Sequence, residues 1–411
     1  MKRNSTIWIV NEYNLPVDVR IRQTVLSQRL EENGYKVCLI CGSSDTKGQT
    51  IKFNKGEHIR KVEFDGAHFY VVNTSGYNSN AKRALVAWQF QKRLWKYRNE
   101  IPKPDVIVSD FAGWFGNEFL RWKRKYGTKI IYDILDLWPE DFVDMGFLKK
   151  DSLITKLLYR MEYKSYCNAD GIIFSFEGGR QYIQEKGWSK DRGGKVDISD
   201  IGYLNNGVDL ETLEIQKEQF YYEDPDLDTD KFKAVYLGSV SIYNGVDKLV
   251  DAAAKLQEKG ADNILILVYG YGNQEDYLRQ RASDLKLDNI VFKGKIDKQY
   301  AINVLSRADV NIFTFKNNAS LKYGTSPNKL FMYFASGKPV LSMIRPGYNL
   351  VESEKCGISV DNDPDKVAEA LIRFADMGPE EYRMYADNSS RVAKEYDYKK
   401  LVHVLIDMIE K

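Results

Sequence analysis

Short apolar runs alternate along this chain with longer segments in which apolar residues recur at helical spacing. In the first half, the runs at 6–10, 37–41, 69–72, 106–109, 129–133 and 171–174 predict strands. The segments 19–33 and 82–98 between them predict amphipathic helices. Runs from 233–237 onward repeat the pattern. The alternation predicts an α/β protein with parallel sheets covered by helices on both faces.

Length and composition narrow the class of protein. A chain of 411 residues exceeds one core, so two domains are expected, and 43% hydrophobic with 29% charged residues is typical of a globular protein. Without a long apolar run or a signal peptide, a cytoplasmic protein is expected. Cys38 and Cys41 share one predicted strand and have no second pair nearby, which argues against a metal site. The net charge of +2 divides into +7 up to Leu210 and −5 beyond it.

One stretch of the second half combines the signals of a short, sharply bounded helix. Ser326 is a good N-cap, Pro327 suits the first helical position, and Gly337 and Pro339 end the helix. Unpaired amides at its start, with Lys329 beside them, would attract an anion. The alternative is an ordinary capped helix with a solvated lysine. The flexible loop before the helix and the strand after it favour a phosphate site at a strand end.

The segment Ser-Pro-Asn-Lys-Leu-Phe-x-Tyr-x-Ala-Ser-Gly-Lys-Pro at 326–339 resembles the donor-site helix of family 4 retaining glycosyltransferases of the GT-B fold, which build bacterial surface polysaccharides. The resemblance implies two doubly wound Rossmann-like domains facing a central cleft. Residues 1–210 would bind the acceptor, residues 211–395 would bind the nucleotide sugar, and the helix in 396–411 would cross back to the first domain. Residues 211–230, polar and without clear periodicity, would form the hinge region.

The implied activity is metal-independent transfer of a hexosyl or N-acetylhexosaminyl group, with retention and without a cofactor. The expected donor is a nucleoside diphosphate sugar, with uridine as the expected nucleoside, and the acceptor is a lipid-linked or growing polysaccharide. The residues that the resemblance assigns to the donor are Gly238, Ser239, Gly270, Tyr271, Lys295, Ile296, Gly324, Thr325, Ser326, Pro327, Asn328, Lys329 and Leu330. Lys329 is also the expected catalytic cation.

The chain departs from the family pattern at charged positions. Relatives usually carry basic residues in the loop at 238–245, where this sequence has Ser239, Ser241 and Asn244. The charge would then fall on Lys329, with Lys322 or Lys295 as possible substitutes. Many relatives also have two glutamates eight residues apart. Gly324 and Met332 occupy those positions here.

The acceptor side is predicted from two loops of the first domain. The family pattern points to Glu12, Tyr13, Arg20 and Arg22 after the first strand, and to Asp136 and Trp138 in an Asp-Leu-Trp-Pro-Glu motif. Asp136 would orient an acceptor hydroxyl or take its proton. The alternatives are a solvated helix start for the arginines and a helix-capping role for Asp136.

Aromatic and basic residues are mixed between Lys82 and Lys129. Trp88, Trp95 and Trp122 lie among cations, and Phe111, Trp114, Phe115 and Phe119 extend the group. This mixture indicates peripheral contact with an anionic membrane, at the inner face of the cytoplasmic membrane if the family resemblance holds. The alternative is a solvated face with tryptophans in the core. No nucleic-acid-binding module accompanies the patch, so nucleic acid is not an expected partner.

Two rivals to a transferase share its fold. A sugar-nucleotide epimerase should need more ionisable groups in the cleft than the candidate motifs provide. A non-catalytic GT-B subunit is favoured by Gly324, Met332 and the missing basic residues. A basic nucleic-acid-binding protein would explain the positive first domain but not a phosphate site in the acidic second one.

Overall fold

The computed structural model describes residues 4–17, 22–45, 49–76, 80–110 and 116–411. The chain forms two compact units. Unit 1 contains residues 1–205 and 398–411, and unit 2 contains residues 206–397. The change of unit falls between Asn205 and Asn206, five residues before the expected boundary. The last helix belongs to unit 1, as the GT-B resemblance implies.

Unit 1 is built on an eight-stranded sheet. Its strands are β1 (Thr6–Val10), β2 (Lys36–Gly42), β3 (Ile59–Phe64), β4 (Ala67–Val72), β5 (Val106–Ser109), β6 (Lys129–Ile134), β7 (Gly171–Phe174) and β8 (Ile201–Tyr203). The order is β3-β4-β2-β1-β5-β6-β7-β8, and only the β3–β4 pair is antiparallel. Most residues of the central strands are buried, as expected for strands covered on both faces.

Helices connect these strands. Those described between β1 and the end of β8 are α1 (Arg22–Glu32), α2 (Asn80–Lys96), α3 (Gly116–Tyr126), α4 (Glu140–Asp144), α5 (Leu153–Asn168) and α6 (Gly179–Glu185). Ser152 starts α5 by accepting a hydrogen bond from the Thr155 amide at 3.1 Å. That satisfies one of the amides that every helix start leaves unpaired.

Unit 2 contains a six-stranded, wholly parallel sheet. Its strands are β9 (Phe232–Leu237), β10 (Ile264–Tyr269), β11 (Ile290–Gly294), β12 (Val310–Phe313), β13 (Val340–Ser342) and β14 (Gly357–Ser359), in the order β11-β10-β9-β12-β13-β14. The helices are α7 (Leu210–Gln219), α8 (Asp247–Glu258), α9 (Glu275–Asp284), α10 (Ala301–Ser306), α11 (Asn328–Ala335), α12 (Leu350–Ser353), α13 (Pro364–Ala375) and α14 (Pro379–Glu395). Separate apolar clusters form on the two faces of the sheet.

The last helix, α15 (Tyr398–Glu410), returns to unit 1. Its buried residues include Leu401, Leu405 and Met408. Lys129 donates to the Ile409 carbonyl at 3.2 Å, which ties the end of the helix to the start of β6. The amphipathic pattern at the end of the sequence is therefore the inner face of a helix that packs on unit 1.

The predicted α/β class is confirmed, and the predicted strands at 6–10, 106–109 and 171–174 match the observed bounds. The antiparallel hairpin partner β3 was not predicted. The interpretation of 211–230 as a hinge is wrong, because the segment begins with α7. Leu210 and Leu213 pack against the apolar cluster of unit 2, and these few contacts fix a helix whose polar sequence hides its periodicity.

A buried carboxyl group lies on the inner face of α5. Glu162 is fully buried and accepts hydrogen bonds from the Tyr166 hydroxyl at 2.9 Å and the Tyr182 hydroxyl at 3.0 Å. Burial raises the pKa of Glu162 to about 8, because the charged form is poorly solvated there.

This environment makes the stability of the protein depend on pH. Between the ordinary glutamate pKa, about 4.3, and the raised value, the folded protein holds a proton that the unfolded chain has lost, so stability falls as pH rises. We expect the melting temperature of wild type, relative to Glu162→Gln, to decrease from pH 5 to pH 8. Thermal melts across this range test it, with the exposed Glu223→Gln as control. Parallel profiles for wild type and Glu162→Gln would contradict it.

Candidate functional site

The candidate donor site lies at the carboxyl end of β9, where the strand order of unit 2 reverses. β9 pairs with β10 on one side and β12 on the other, so the chain leaves neighbouring strands in opposite directions. Open α/β sheets bind ligands at such switch points, because the diverging loops leave a crevice there.

Lys329, from the first turn of α11, reaches both loops at this switch point. Its Nζ donates to Asn244 Oδ1 at 3.0 Å in the loop after β9, and to the Thr314 carbonyl at 2.9 Å just after β12. No carboxylate in the described part of the chain lies within ion-pair distance of this ammonium group. Neutral oxygens thus orient Lys329 without neutralising its charge.

Aromatic rings enclose the same ammonium group. The ring centres of Phe315, Tyr236 and Phe313 lie 4.1, 5.1 and 5.6 Å from Lys329 Nζ. Although the residue as a whole is partly exposed, its charged end is poorly hydrated. Burial lowers the pKa of Lys329 to about 7. These rings could not be predicted from the sequence, because only folding brings positions 236, 313 and 315 around residue 329.

The loops that follow β9 and β10 are hydrogen-bonded to each other. The Gly238 amide donates to the Tyr269 carbonyl at 2.9 Å, and the Val240 amide donates to the Tyr271 carbonyl at 3.0 Å. Two predicted donor-binding residues, Ser239 and Tyr271, are exposed on these loops. The structure therefore brings the predicted positions 238, 239, 270 and 271 together at one sheet edge.

Two further predicted residues follow β11 at the same edge. The Gly270 amide donates to the Gly294 carbonyl at 2.8 Å, which joins the turns after β10 and β11. Lys295 is exposed, with its Nζ 5.6 Å from the ring centre of Tyr271. Ile296 packs partly against the core and is not fully covered. Tyr271 and Ile296 thus offer accessible apolar surface beside the loops.

The start of α11 differs from the prediction. The helix begins at Asn328, and Pro327 is the N-cap, with no side-chain capping bond. Ser326 Oγ instead accepts from the Asn206 amide at 2.8 Å. The predicted capping role of Ser326 is wrong, because a residue 120 positions away uses its hydroxyl oxygen. Among the described residues, the amides of Asn328 and Lys329 have no hydrogen-bond partner.

The remaining predicted donor residues divide between loop and core. Gly324 and Thr325 are partly buried in the loop before α11. Leu330, also predicted to bind the donor, is 3% exposed, and its side chain belongs to the apolar cluster rather than to the accessible surface of the site. The sequence predicted binding from its place in the motif, but the side chain lies on the inner face of the helix.

Tyr333 fixes α11 against β9. Its hydroxyl donates to the Leu237 carbonyl at 2.8 Å and accepts from the Leu237 amide at 3.2 Å. Met332, at the position where many relatives carry a glutamate, packs partly against the apolar cluster. The helix is thereby positioned by its inner face without a carboxylate at residue 332.

The candidate acceptor site lies at the corresponding switch point of unit 1, between β1 and β5. Asn11, directly after β1, donates through Nδ2 to Asp110, directly after β5. The predicted residues Glu12 and Tyr13 are partly buried in the same loop. Burial raises the pKa of Asp110 well above its usual range, and the charges of Asp133 and Asp136 raise it further.

Asp110 was not among the predicted site residues. The sequence does contain a signal for Asp110, because this residue directly follows an apolar strand run, as the motif with Asp136 follows the next one.

Arg22 is structural, contrary to the predicted acceptor contact. It is 5% exposed, and its guanidinium group pairs with both oxygens of Asp133 at 3.0 and 3.1 Å. It also donates to the carbonyls of Leu204 at 2.9 Å and Asn205 at 2.7 Å. A buried arginine needs such partners, and they leave it inside the protein. Arg20 lies outside the described residues.

The Asp-Leu-Trp-Pro-Glu motif follows β6 at this sheet edge. Asp136 is exposed, as a role toward an acceptor requires. Trp138 is partly exposed and meets Phe142 edge to face, with ring centres 5.8 Å apart. Glu140 bonds to Tyr159 and Lys186, so it links helices rather than facing a ligand. The motif divides into a solvent-facing start and a structural end.

Of the aromatic residues predicted to form a patch between Lys82 and Lys129, the described ones divide between core and surface. Phe119 and Trp122 are buried, and Trp95 packs edge to face on Trp122 at 5.2 Å. Leu85 and Trp88 remain exposed on α2. Phe111, Trp114 and Phe115 lie outside the described residues. The alternative of core tryptophans is correct for Trp122 but not for Trp88.

Two properties of the described residues bear on metals and membranes. They contain no group of three or more His, Cys, Asp or Glu side chains arranged to hold a metal ion. None of their helices combines the length and apolar character needed to cross a bilayer.

Comparison with known families gives a match in each unit. A model described as glycosyl transferase 4-like domain matches residues 19–193, and one described as glycosyl transferases group 1 matches residues 231–377. Together with the fold, these matches place the chain among the glycosyltransferases of the GT-B fold.

Curated relatives and solved structures agree with this class. Glycosyltransferase MJ1069 of Methanocaldococcus jannaschii, described as uncharacterized, is 24% identical over 261 residues, 61% of this chain and 59% of the relative. WbjE of Pseudomonas aeruginosa, described as a probable glycosyltransferase, is 22% identical over 61% of each chain. The matched region thus spans about three fifths of each relative.

Three solved structures share the fold at low identity. A trehalose-6-phosphate protein from E. coli bound with UDP-2-fluoro glucose has a TM-score of 0.74 at 14% identity, covering 99% of both chains. Anabaena HepE in complex with UDP has a TM-score of 0.67 at 13% identity, again with 99% of both chains covered. WaaG, a glycosyltransferase involved in lipopolysaccharide biosynthesis, has a TM-score of 0.65 at 15% identity, with 98% of this chain and 99% of WaaG covered.

The lowered pKa of Lys329 predicts pH-dependent binding of uridine diphosphate. An adjacent diphosphate favours the ammonium form and raises this pKa, so binding above pH 7 takes up a proton. Affinity should then fall with rising pH by up to about tenfold per unit. Titration calorimetry in buffers of different ionisation enthalpy measures both effects. Lys329→Met should remove the proton uptake that belongs to the lysine, while any proton uptake by the nucleotide itself remains. Equal proton uptake by the wild type and the variant would refute the assignment of the pH dependence to Lys329.

The turn after β10 requires glycine at position 270. Its φ is +138°, and a Cβ there would lie 1.7 Å from the Gly238 carbonyl oxygen. Gly270→Ala should therefore displace the loop after β9 and weaken nucleotide binding. It should also reduce the free energy of unfolding by about 2 kcal/mol or more, which lowers the melting temperature by several degrees. Gly378→Ala is the control, since no atom lies within 4 Å of its added methyl group. Similar melts and affinities for the two variants would contradict this account.

Proposed function

We propose that this protein is a retaining glycosyltransferase that moves a sugar from a nucleoside diphosphate, with uridine as the expected nucleoside, to a lipid-linked or growing polysaccharide acceptor. The observation that carries the proposal is Lys329, an oriented ammonium group without a carboxylate partner at the switch point of unit 2. A diphosphate is the ligand that such a cation, beside free helix amides, would hold.

The named neighbours support this choice of substrates. One solved structure is bound with UDP-2-fluoro glucose, and another is in complex with UDP. WaaG takes part in lipopolysaccharide biosynthesis, which supports a lipid-linked acceptor here. Tyr271 and Ile296, accessible beside the loops, are the proposed contacts of the nucleobase.

In the proposed reaction the bond between the anomeric carbon and the diphosphate oxygen breaks, while the acceptor oxygen forms a bond to the same carbon. The acceptor proton passes to the departing phosphate on the same face, so the configuration is retained. Lys329 and the amides of Asn328 and Lys329 stabilise the charge that develops on the leaving group. One fixed donor of this kind contributes about 3–4 kcal/mol in other enzymes. The proposed mechanism uses no metal ion or cofactor.

On the acceptor side, Asp136 is the proposed contact of the attacking hydroxyl group, with Trp138 as a partly exposed surface for a sugar ring. Both follow β6 at the switch edge of unit 1. Glu12 and Tyr13 complete the proposed acceptor group, and Arg22 supports it from the interior through Asp133.

A non-catalytic nucleotide-binding subunit is the second candidate, favoured by Gly324 and Met332 in place of the usual glutamates. Incubation with a panel of nucleotide sugars and a prenyl-diphosphate sugar, followed by mass spectrometry, separates the candidates. A new glycolipid supports the transferase. Binding without product supports the subunit, and an isomerised donor supports an epimerase.

The role of Lys329 can be tested by moving its charge. Lys329→Ala should lower turnover at least about tenfold, while the exposed Lys259→Ala should change it little. Because Asn244 Oδ1 lies 3.0 Å from the ammonium, Asn244→Lys added to Lys329→Ala places a new cation near the lost one and should restore part of the activity. Unchanged turnover in Lys329→Ala would exclude the proposed role.

A further inference from the structure

Several exposed apolar side chains lie close together in the sequence of unit 1, in the segment before and at the start of α5 rather than in the 82–129 region that the sequence suggested. Of the sixteen large hydrophobic residues exposed in the described structure, five fall within 145–157. They form the apolar patch: Met145, Phe147, Leu153, Ile154 and Leu157, exposed to 48, 60, 85, 64 and 57%. Single exposed apolar residues are common, but several within one short segment indicate an interaction surface.

The segment that carries the patch is held in place by its own hydrogen bonds. The Phe147 amide donates to the Phe142 carbonyl at 2.9 Å, and Thr155 Oγ1 donates to the Lys149 carbonyl at 2.8 Å. Ser152 lies between Lys149 and Thr155 in the sequence and caps the start of α5. The turn and the start of α5 therefore form one bonded unit that presents the patch outward.

The first turns of α5 also carry their apolar residues on the unexpected face. Thr155, Leu158 and Glu162 are buried on the inner face, whereas Leu153 and Leu157 face solvent. With the inner face occupied, the outer residues cannot be buried by a small rotation of the helix. Their burial requires something outside unit 1.

Five basic side chains, which we call the basic rim, lie between the patch residues in sequence or follow them on α5. Lys149, Lys150, Lys156, Arg160 and Lys164 are exposed, and none forms an ion pair within the described residues. Asp151 is the exposed acidic residue among them. Exposed apolar residues that can enter the headgroup region, interspersed with unpaired cations, complement an anionic bilayer, where each nearby cation contributes about 1 kcal/mol.

We propose that the apolar patch and its basic rim dock unit 1 onto an anionic lipid bilayer. A second copy of the chain fits the surface less well. A symmetric contact would place each patch on its twin and bring the two basic rims together. Lipid phosphates instead neutralise the rim while the headgroup region receives the apolar side chains.

Aromatic rings connect this surface with the proposed acceptor loop. Phe142 lies 6.0 Å from the Phe147 ring and 5.8 Å from the Trp138 ring. A bilayer at the patch would therefore lie close to the loop that contains Asp136 and Trp138. Membrane binding itself requires no transfer reaction, so it can hold or fail independently of the proposed function.

Co-sedimentation with vesicles tests the docking. We expect wild type to bind phosphatidylcholine vesicles containing about 30% phosphatidylglycerol, to bind pure phosphatidylcholine weakly, and to lose affinity as salt increases. Leu153→Ser with Leu157→Ser should weaken binding at least about tenfold. Lys149→Glu with Lys150→Glu should remove most of the salt-sensitive part. Because these four residues are exposed, thermal melts should stay unchanged.

The matched control is Leu85→Ser with Trp88→Ser, the exposed pair on the surface first suggested by the sequence. It should bind vesicles like wild type. Equal loss in the control and patch variants, normal binding by the patch variants, or no binding by wild type would each overturn the proposal. So would a wild-type dimer that the patch variants convert to monomer in light scattering, because the surface would then serve self-association.

Discussion

The contact between Lys329 and the two loops of the switch point is the interaction on which the candidate donor site depends. The ammonium group is oriented by Asn244 and the Thr314 carbonyl and lies among Phe315, Tyr236 and Phe313. Neutral oxygens and aromatic faces hold a cation in place while leaving most of its charge uncompensated. An incoming anion therefore meets a positive group that has already lost much of its hydration, and little reorganisation is needed when charge develops on a leaving phosphate.

The surrounding backbone makes this arrangement possible. Tyr333 joins α11 to the last residue of β9 through both the amide and the carbonyl of Leu237. The turns after β9, β10 and β11 are joined in turn by the amides of Gly238 and Gly270. Each loop is short and anchored to its neighbour, so the position of Lys329 follows from the register of the sheet. Loop contacts and sheet order thus act as one support for the site.

How far the sequence predicts this structure depends on how local each signal is. The strands β1, β5 and β7 were located with their observed bounds, because a buried parallel strand is an uninterrupted apolar run. Ser326 was misassigned as a cap because its partner, Asn206, is distant in sequence. The aromatic rings around Lys329 could not be predicted for the same reason, since they too are distant in sequence from the residue that they contact. Motif spacing identified the residue, whereas the cause of its lowered pKa became visible only in three dimensions.

The departures from the family pattern acquire a common physical interpretation. A carboxylate at position 332, one turn of α11 from Lys329, would bring negative charge toward a cation that has no carboxylate within ion-pair distance in the described structure. With methionine at 332, the Lys329 ammonium remains uncompensated, and burial lowers its pKa. Asn244 stands where relatives carry a basic residue, and a second cation at that point would repel Lys329. Methionine at 332 and asparagine at 244 are therefore consistent with each other, since both preserve one cation, without a competing partner, for an anionic ligand.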